Sequence, residues 1–317
     1  MCLVIEVVKM YTTGQNEVSM DDKLLNYASH LIIKEYESLK DEKPNGVFFN
    51  KIMSLLNKNI DSFKLSHYWY RYGDQVCRQK MPTNLEWTNV ELNETKVDWK
   101  YDTPEFFKEL EGHPIEEEIK SLVREYNDNF EDLIDDVYSY APYDFQRRFL
   151  ELRKLFYGAN NAYNWDMESY KELSKPILED TYDSFPIHDF KEIEQEYELV
   201  RTFMEAKLDS EDWKFKILEK ISTNFWFLFC YHLRMNPKAR ENIPPDILHH
   251  WEESLSMDAD RHRKSIADTI IKSIERDSSL LEYESINEFY KWRKEDKKET
   301  EKIIDEFVDN YTAHSTA

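Results

Sequence analysis

The largest group of side chains with metal-ligand chemistry lies in the C-terminal third of the chain and comprises His249, His250, Glu253 and His262. In a helix, His249 and Glu253 are four residues apart, which places a nitrogen and an oxygen ligand on one face. Two histidines and a carboxylate would suit a divalent transition metal. Exposed ion pairs explain the same spacing, and no second helix supplies a matching Glu-x-x-His element. The pattern has low specificity, and it predicts either a metal site or a solvated helix face.

Other patterns that carry chemistry are missing from the sequence. It has no nucleophile elbow, no Walker A loop and no dinucleotide-binding glycine motif. Cys2, Cys77 and Cys230 lie far apart, which excludes a disulfide framework and a cysteine-based zinc site. Adjacent carboxylates are frequent, but a chain with 64 acidic residues produces such pairs by composition alone. We therefore expect no cofactor and no residue that acts as a nucleophile.

A second candidate site is a basic segment with interleaved aromatic residues, residues 47–82, which has a local charge of +4. Lysine and arginine displace counterions from nucleic acid, and tyrosine or tryptophan can stack on bases. Large aromatic residues dominate small protein cores, so the same residues are also explained as core, with Arg71 and Lys64 merely solvated. On the first interpretation, the contact residues are Lys51, Lys58, Lys64, Tyr68, Tyr70, Arg71, Tyr72 and Arg78.

Charge divides the chain near residue 100. The net charge is −22 for 317 residues, and −21 of it falls after residue 100. This step predicts two domains, residues 20–95 and residues 100–312. The acidic part repels nucleic acid at long range, so its more natural partner is a basic protein surface.

Helical periodicity dominates the sequence, and only five glycines interrupt it. We predict a mainly α protein, in which a small winged-helix-like α+β module precedes a large all-α domain. Residues 115–137 are predicted to form one long helix, and residues 159–186 an irregular segment with short helical pieces around residues 168–173. The apolar run 225–231 predicts a buried helix. The first well-patterned helix begins after Met20, so both Met1 and Met20 are plausible starts.

Hydropathy and cysteine usage bear on location. The longest apolar runs are far shorter than the roughly 20 residues that span a bilayer, and the N-terminal run is interrupted by Glu6. Three separated cysteines suit a reducing compartment. We therefore expect a cytoplasmic protein without a membrane segment.

One stretch carries a family resemblance, the residues FFNKIMSLLNKNIDSFKLSHYWYRYGDQV. It resembles an N-terminal module of uncharacterised archaeal proteins and, more distantly, is similar to the Panacea or SocA-like antitoxin domain. Two positions depart from those patterns, because Ser66 and Asp74 stand where proline is expected. The resemblance covers residues 48–76 and implies a helical, winged-helix-related regulatory module.

Taken together, these observations predict a non-enzymatic regulatory or interaction protein, transcriptional or antitoxin-like in character. The basic aromatic segment would contact protein or nucleic acid, and the acidic helical domain would bind a protein partner. The alternative is an all-α metal-dependent enzyme that uses the His249 cluster. The sequence leaves the oligomeric state open.

Overall fold

The computed structural model describes residues 20–60, 65–77, 110–161, 167–210, 214–296 and 298. Over this part of the chain the protein is mainly helical and carries a small antiparallel sheet of three strands in the order β2-β1-β3. The mainly α prediction is therefore confirmed. The predicted contact residues Lys64 and Arg78, and the end of the predicted first domain after residue 77, lie outside the described residues.

The helices and strands follow one another in chain order. They are α1 (Met20–Lys40), α2 (Gly46–Asn59), β1 (His67–Tyr70), β2 (Gly73–Val76), α3 (Ile115–Tyr126), α4 (Phe130–Tyr138), α5 (Asp144–Asn161), α6 (Met167–Ser184), α7 (Glu194–Asp209), α8 (Phe215–Met235), β3 (Arg240–Glu241), α9 (Pro245–Ile274) and α10 (residues 284–296).

The elements form two compact units, and neither is one continuous stretch of chain. Among the described residues, the first unit comprises residues 20–60, 65–68, 72–77, 110–137 and 241–243. The second comprises residues 69–71, 138–161, 167–210, 214–240, 244–296 and 298. Helix α3 and most of α4 thus belong with the N-terminal elements, although their charge places them with the acidic part of the sequence.

In the first unit, helix α2 is the central element. The side chain of Asn45 accepts a hydrogen bond from the Phe48 amide at 2.9 Å, which fixes the helix start. Ten of its 14 residues are buried, and α2 packs against β2 and α3. The turn between β1 and β2 ends at Gly73 with φ of +86°, a conformation that favours glycine.

In the second unit, aromatic side chains fill the core between α5, α6, α7 and α8. Phe145 contacts the rings of five others, with centroids 4.9–6.5 Å away. Helix α8 has no exposed residue between Phe225 and Met235, as its apolar sequence predicted. Helices α8 and α9 pack along each other.

Two helical predictions were wrong in their boundaries. Residues 115–137 form two helices, because the polar run Asn127–Asn129, with low helix propensity, interrupts the amphipathic pattern. Residues 159–186 are mostly helical in α6, where Ser174, Leu178 and Thr181 are buried at helical spacing and Pro176 is accommodated within the helix. Residues 245–274 form the single helix α9, because buried Ala259 and His262 continue its inner face.

Candidate partner-binding site

The described residues of the basic aromatic segment do not form a basic surface. Lys51 is 1% exposed and Tyr68 is 7% exposed, so neither side chain is available at the surface of the first unit. Lys58 is exposed, and Tyr72 is 53% exposed. The surface role expected for Lys51 and Tyr68 is corrected to a role in the core.

Arg71 and Tyr70 belong to the second unit. The guanidinium of Arg71 lies 4.2 Å from the ring centroid of Phe227 and donates a hydrogen bond to the hydroxyl of Tyr231. Its backbone carbonyl accepts a hydrogen bond from Trp226 Nε1 at 2.9 Å. The ring of Tyr70 packs against that of Tyr231, with centroids 5.7 Å apart. Both side chains therefore make internal contacts. The interpretation of the basic aromatic segment as a contact surface did not include them.

Asp74 is the centre of a buried polar network in the first unit. Its carboxylate accepts hydrogen bonds from Ser54 Oγ at 2.5 Å and is 2.8 Å from His67 Nδ1. Lys51 Nζ donates to the backbone carbonyl of Asp74 at 2.6 Å, and His67 Nε2 lies 3.3 Å from a Glu241 oxygen. The network joins α2 to both hairpin strands and to β3. Since Lys51, Ser54 and Asp74 are at most 2% exposed, this is a structural connection and not a site that substrate can enter.

The pKa values in this network follow from burial and from the partners. Burial opposes the charged form of Asp74, but the hydrogen bonds from His67 and Ser54 outweigh it and hold the pKa below its usual value. Burial likewise opposes the imidazolium of His67, and the carboxylates of Asp74 and Glu241 raise its pKa nonetheless. Burial dominates at Lys51 and lowers its pKa to about 7, against a smaller opposing effect of Asp74.

We expect Lys51 to make the free energy of unfolding rise with pH above neutrality. Its pKa in the folded protein is about 7, below the usual 10.5, so between these pH values the unfolded chain binds more protons. His67 acts in the opposite direction, because its raised pKa gives stability that is lost as pH rises. Lys51→Met retains His67, so the stability of the native protein relative to Lys51→Met should increase between pH 7 and pH 9 in urea unfolding. Parallel pH profiles for the two proteins would contradict the role of Lys51.

The predicted metal ligands are placed on different sides of α9. His249 is exposed and lies 3.3 Å from Glu253, as an ordinary surface pair. His250 is also exposed, whereas His262 is buried and contacts Asn224 Oδ1 at 3.0 Å through Nδ1. Within the described ranges, no three His, Cys, Asp or Glu side chains are arranged to hold a metal ion. The structure therefore does not bring the four residues together as one site.

The second unit contains an open groove of about 1420 Å³, which we call the acidic groove. Its walls come from the end of α6, the start of α7, the middle of α9, and α10. Phe185 and Tyr197 stack at its base with ring centroids 4.1 Å apart. Tyr182, Ile187 and Trp292 are large apolar side chains on its walls that remain 41–57% exposed. The groove thus combines a packed aromatic base with an exposed apolar lining.

The charges that line the acidic groove are mostly negative. Six carboxylates face three cationic side chains: Glu192, Glu194, Glu196, Glu198, Asp260 and Glu288 against Arg263, Lys264 and Arg293. Arg263 is already paired with Glu196 at 2.7 Å and with Asp260 at 3.3 Å. Glu192, Glu194 and Glu288 form no ion pair with any residue that the structure describes. Three carboxylates on the groove are therefore available to a cationic ligand.

Sequence reasoning did not find the acidic groove, because its residues come from four separate elements. The one feature of the sequence that could have indicated the groove was Trp292, an exposed tryptophan in a charged helix. Comparison of the chain with protein-family models, with curated proteins and with solved structures found no match. No helix among the described residues is long and apolar enough to cross a membrane.

Proposed function

We propose that the protein is a non-enzymatic interaction protein and that the acidic groove of its second unit binds a basic segment of a protein partner. The single observation that carries this proposal is the combination of exposed Tyr182, Ile187 and Trp292 with three unpaired carboxylates in one groove. Aromatic side chains are enriched at binding hot spots. Complementary charge accelerates association and selects the partner.

The proposal includes a regulatory role for the first unit. The helix–helix–hairpin order of α1, α2, β1 and β2 supports a winged-helix-like, antitoxin-related module, as does the resemblance of residues 48–76. Contact with nucleic acid through the same residues has less support, because Lys51 is buried and Arg71 makes internal contacts. Stability of the fold is a simpler role for some of the acids, since Glu194 and Glu196 lie in the first turn of α7. That role does not account for the exposed apolar side chains beside them.

Site-specific photocrosslinking in cells of the source organism tests the proposal. A photoreactive phenylalanine analogue at position 292 should give discrete crosslinks to protein, with the adduct in a lysine- or arginine-rich segment. The matched control is the same analogue at position 157, because Tyr157 is 63% exposed on α5 and lies outside the groove. Equal crosslinking at the two positions, or none at position 292, would overturn the proposed function.

A further inference from the structure

The walls of the acidic groove restrict the conformation of what can bind there. Every residue that lines it lies in a helix or in a turn between helices, and none belongs to β1, β2 or β3. Away from the first turn of α7, the backbone N–H and C=O groups of the helical walls are paired within the helices. An extended segment could not add to a sheet edge here, and it would bury its own backbone groups without partners. A helix satisfies its backbone internally.

The size of the groove agrees with a short helix. A cylinder of about 10 Å diameter and about 16 Å length, which corresponds to roughly three helical turns, has a volume of about 1300 Å³. The groove has a volume of about 1420 Å³. A helical segment of about 11 residues can therefore be accommodated in the groove.

The lining also specifies the two faces of such a helix. Tyr182, Ile187 and Trp292 would contact apolar side chains that recur every three to four residues. Glu192, Glu194 and Glu288 lie on the same groove and would pair with lysine or arginine on the flanks of the helix. Lys264 is an exposed cation on the groove wall, so we expect at least one acidic or polar position in the ligand.

We infer that the acidic groove binds a basic amphipathic helix of about three turns, supplied by a partner protein. The inference rests on the proposed function and specifies its ligand. Recognition then depends on apolar and on charged side chains. The apolar face of the ligand helix anchors it in the groove, and the carboxylates of the groove select cationic helices over acidic ones.

Fluorescence anisotropy with labelled peptides and the full-length protein tests this inference. The probe is a designed helical peptide of about 14 residues with leucine on one face and lysine on the other. It should bind with micromolar affinity that weakens as salt concentration rises. A peptide with the same apolar face but with glutamate in place of lysine should bind at least about tenfold more weakly. A peptide of the same composition in which proline interrupts the helix should also bind at least about tenfold more weakly.

Variants of the protein locate the binding. The triple variant Glu192→Gln, Glu194→Gln, Glu288→Gln should weaken binding about tenfold, since each exposed ion pair contributes a factor of about two. The matched triple variant Glu179→Gln, Glu252→Gln, Glu275→Gln changes the net charge equally at exposed positions outside the groove and should stay within about twofold. Trp292→Ala should weaken binding about tenfold or more. Circular dichroism verifies that each variant is folded.

The outcomes separate this inference from the proposed function. Crosslinking at position 292 without binding of the basic helix, or with equal binding of the proline-interrupted peptide, would overturn the helical ligand and leave the proposed function intact. Equal losses in the two triple variants would also overturn it, because binding would then follow net charge alone. If crosslinking also fails, both are overturned. Self-association that depends on Trp292, measured by sedimentation, would assign the groove to a second copy of the chain and likewise overturn the inference.

Discussion

Replacing Asp74 by alanine is expected to destabilise the first unit by about 3 to 5 kcal/mol, the usual cost of removing one partner from a buried charged pair. The carboxylate is buried and is bonded to Ser54 and His67. Without it, the imidazole of His67 loses a partner that raises its pKa, and the hydroxyl of Ser54 loses an acceptor. Lys51 keeps the backbone carbonyl but loses the nearby negative charge. Amide hydrogen exchange over residues 46–59 and 67–76 measures the loss locally.

Two controls distinguish the buried network from a general effect of acidic residues. Asp132→Ala removes an exposed carboxylate from the first turn of α4 and should cost less than about 1 kcal/mol. Asp74→Asn keeps an acceptor for Ser54 without the charge, so its cost should fall between the two. Protection factors for Asp74→Ala that equal those of Asp132→Ala would contradict the role assigned to the network.

The second large effect is expected for Phe145→Ala, at about 3 to 5 kcal/mol. Phe145 is fully buried, and its ring contacts those of Phe149, Phe185, Tyr197, Phe225 and Phe229. Truncation leaves a cavity whose walls are themselves large rings that cannot collapse easily. Hydrogen exchange over residues 144–161 and 215–235 should show the loss, and an unchanged exchange rate there would contradict it.

Phe145→Leu serves as the intermediate case and should cost clearly less, because it retains most of the apolar volume. Leu173→Ala removes an apolar side chain that is 57% exposed on α6 and should stay within about 0.5 kcal/mol. Phe185 and Tyr197 also form the base of the acidic groove. Loss of peptide binding in Phe145→Ala at a temperature where the variant is folded would therefore indicate that the core positions the groove.

The sequence predicted those elements whose signal is local. The apolar run 225–231 predicted a buried helix, and the structure contains it as part of α8. The interpretation of Tyr68 and Trp69 as core residues, which the sequence left open beside a binding role, agrees with exposures of 7% and 4%. The full length of helix α6 was missed, because its pairing with α5 outweighs the local effect of Pro176.

The candidate sites were harder to predict because their residues are distant in sequence. The Asp74 network brings together Lys51, His67 and Glu241, which come from three different elements. Asp74 was visible only as a departure from an expected proline, and its burial depends on tertiary structure. For the groove, the excess of acids in the sequence concealed the few that line it, since Glu192 and Glu288 differ from other carboxylates only in their surroundings.

The division of the chain into its two units has a consequence for dissecting the protein by truncation. Residues 69–71 count with the second unit, and residues 241–243 count with the first. A cut near residue 100 would remove α3 from the α1 and α2 against which it packs, and a cut near residue 138 would remove Glu241 from His67. Each unit therefore depends on a short peptide encoded within the other. Duplication, deletion or exchange of one unit as a single gene segment would leave both units incomplete.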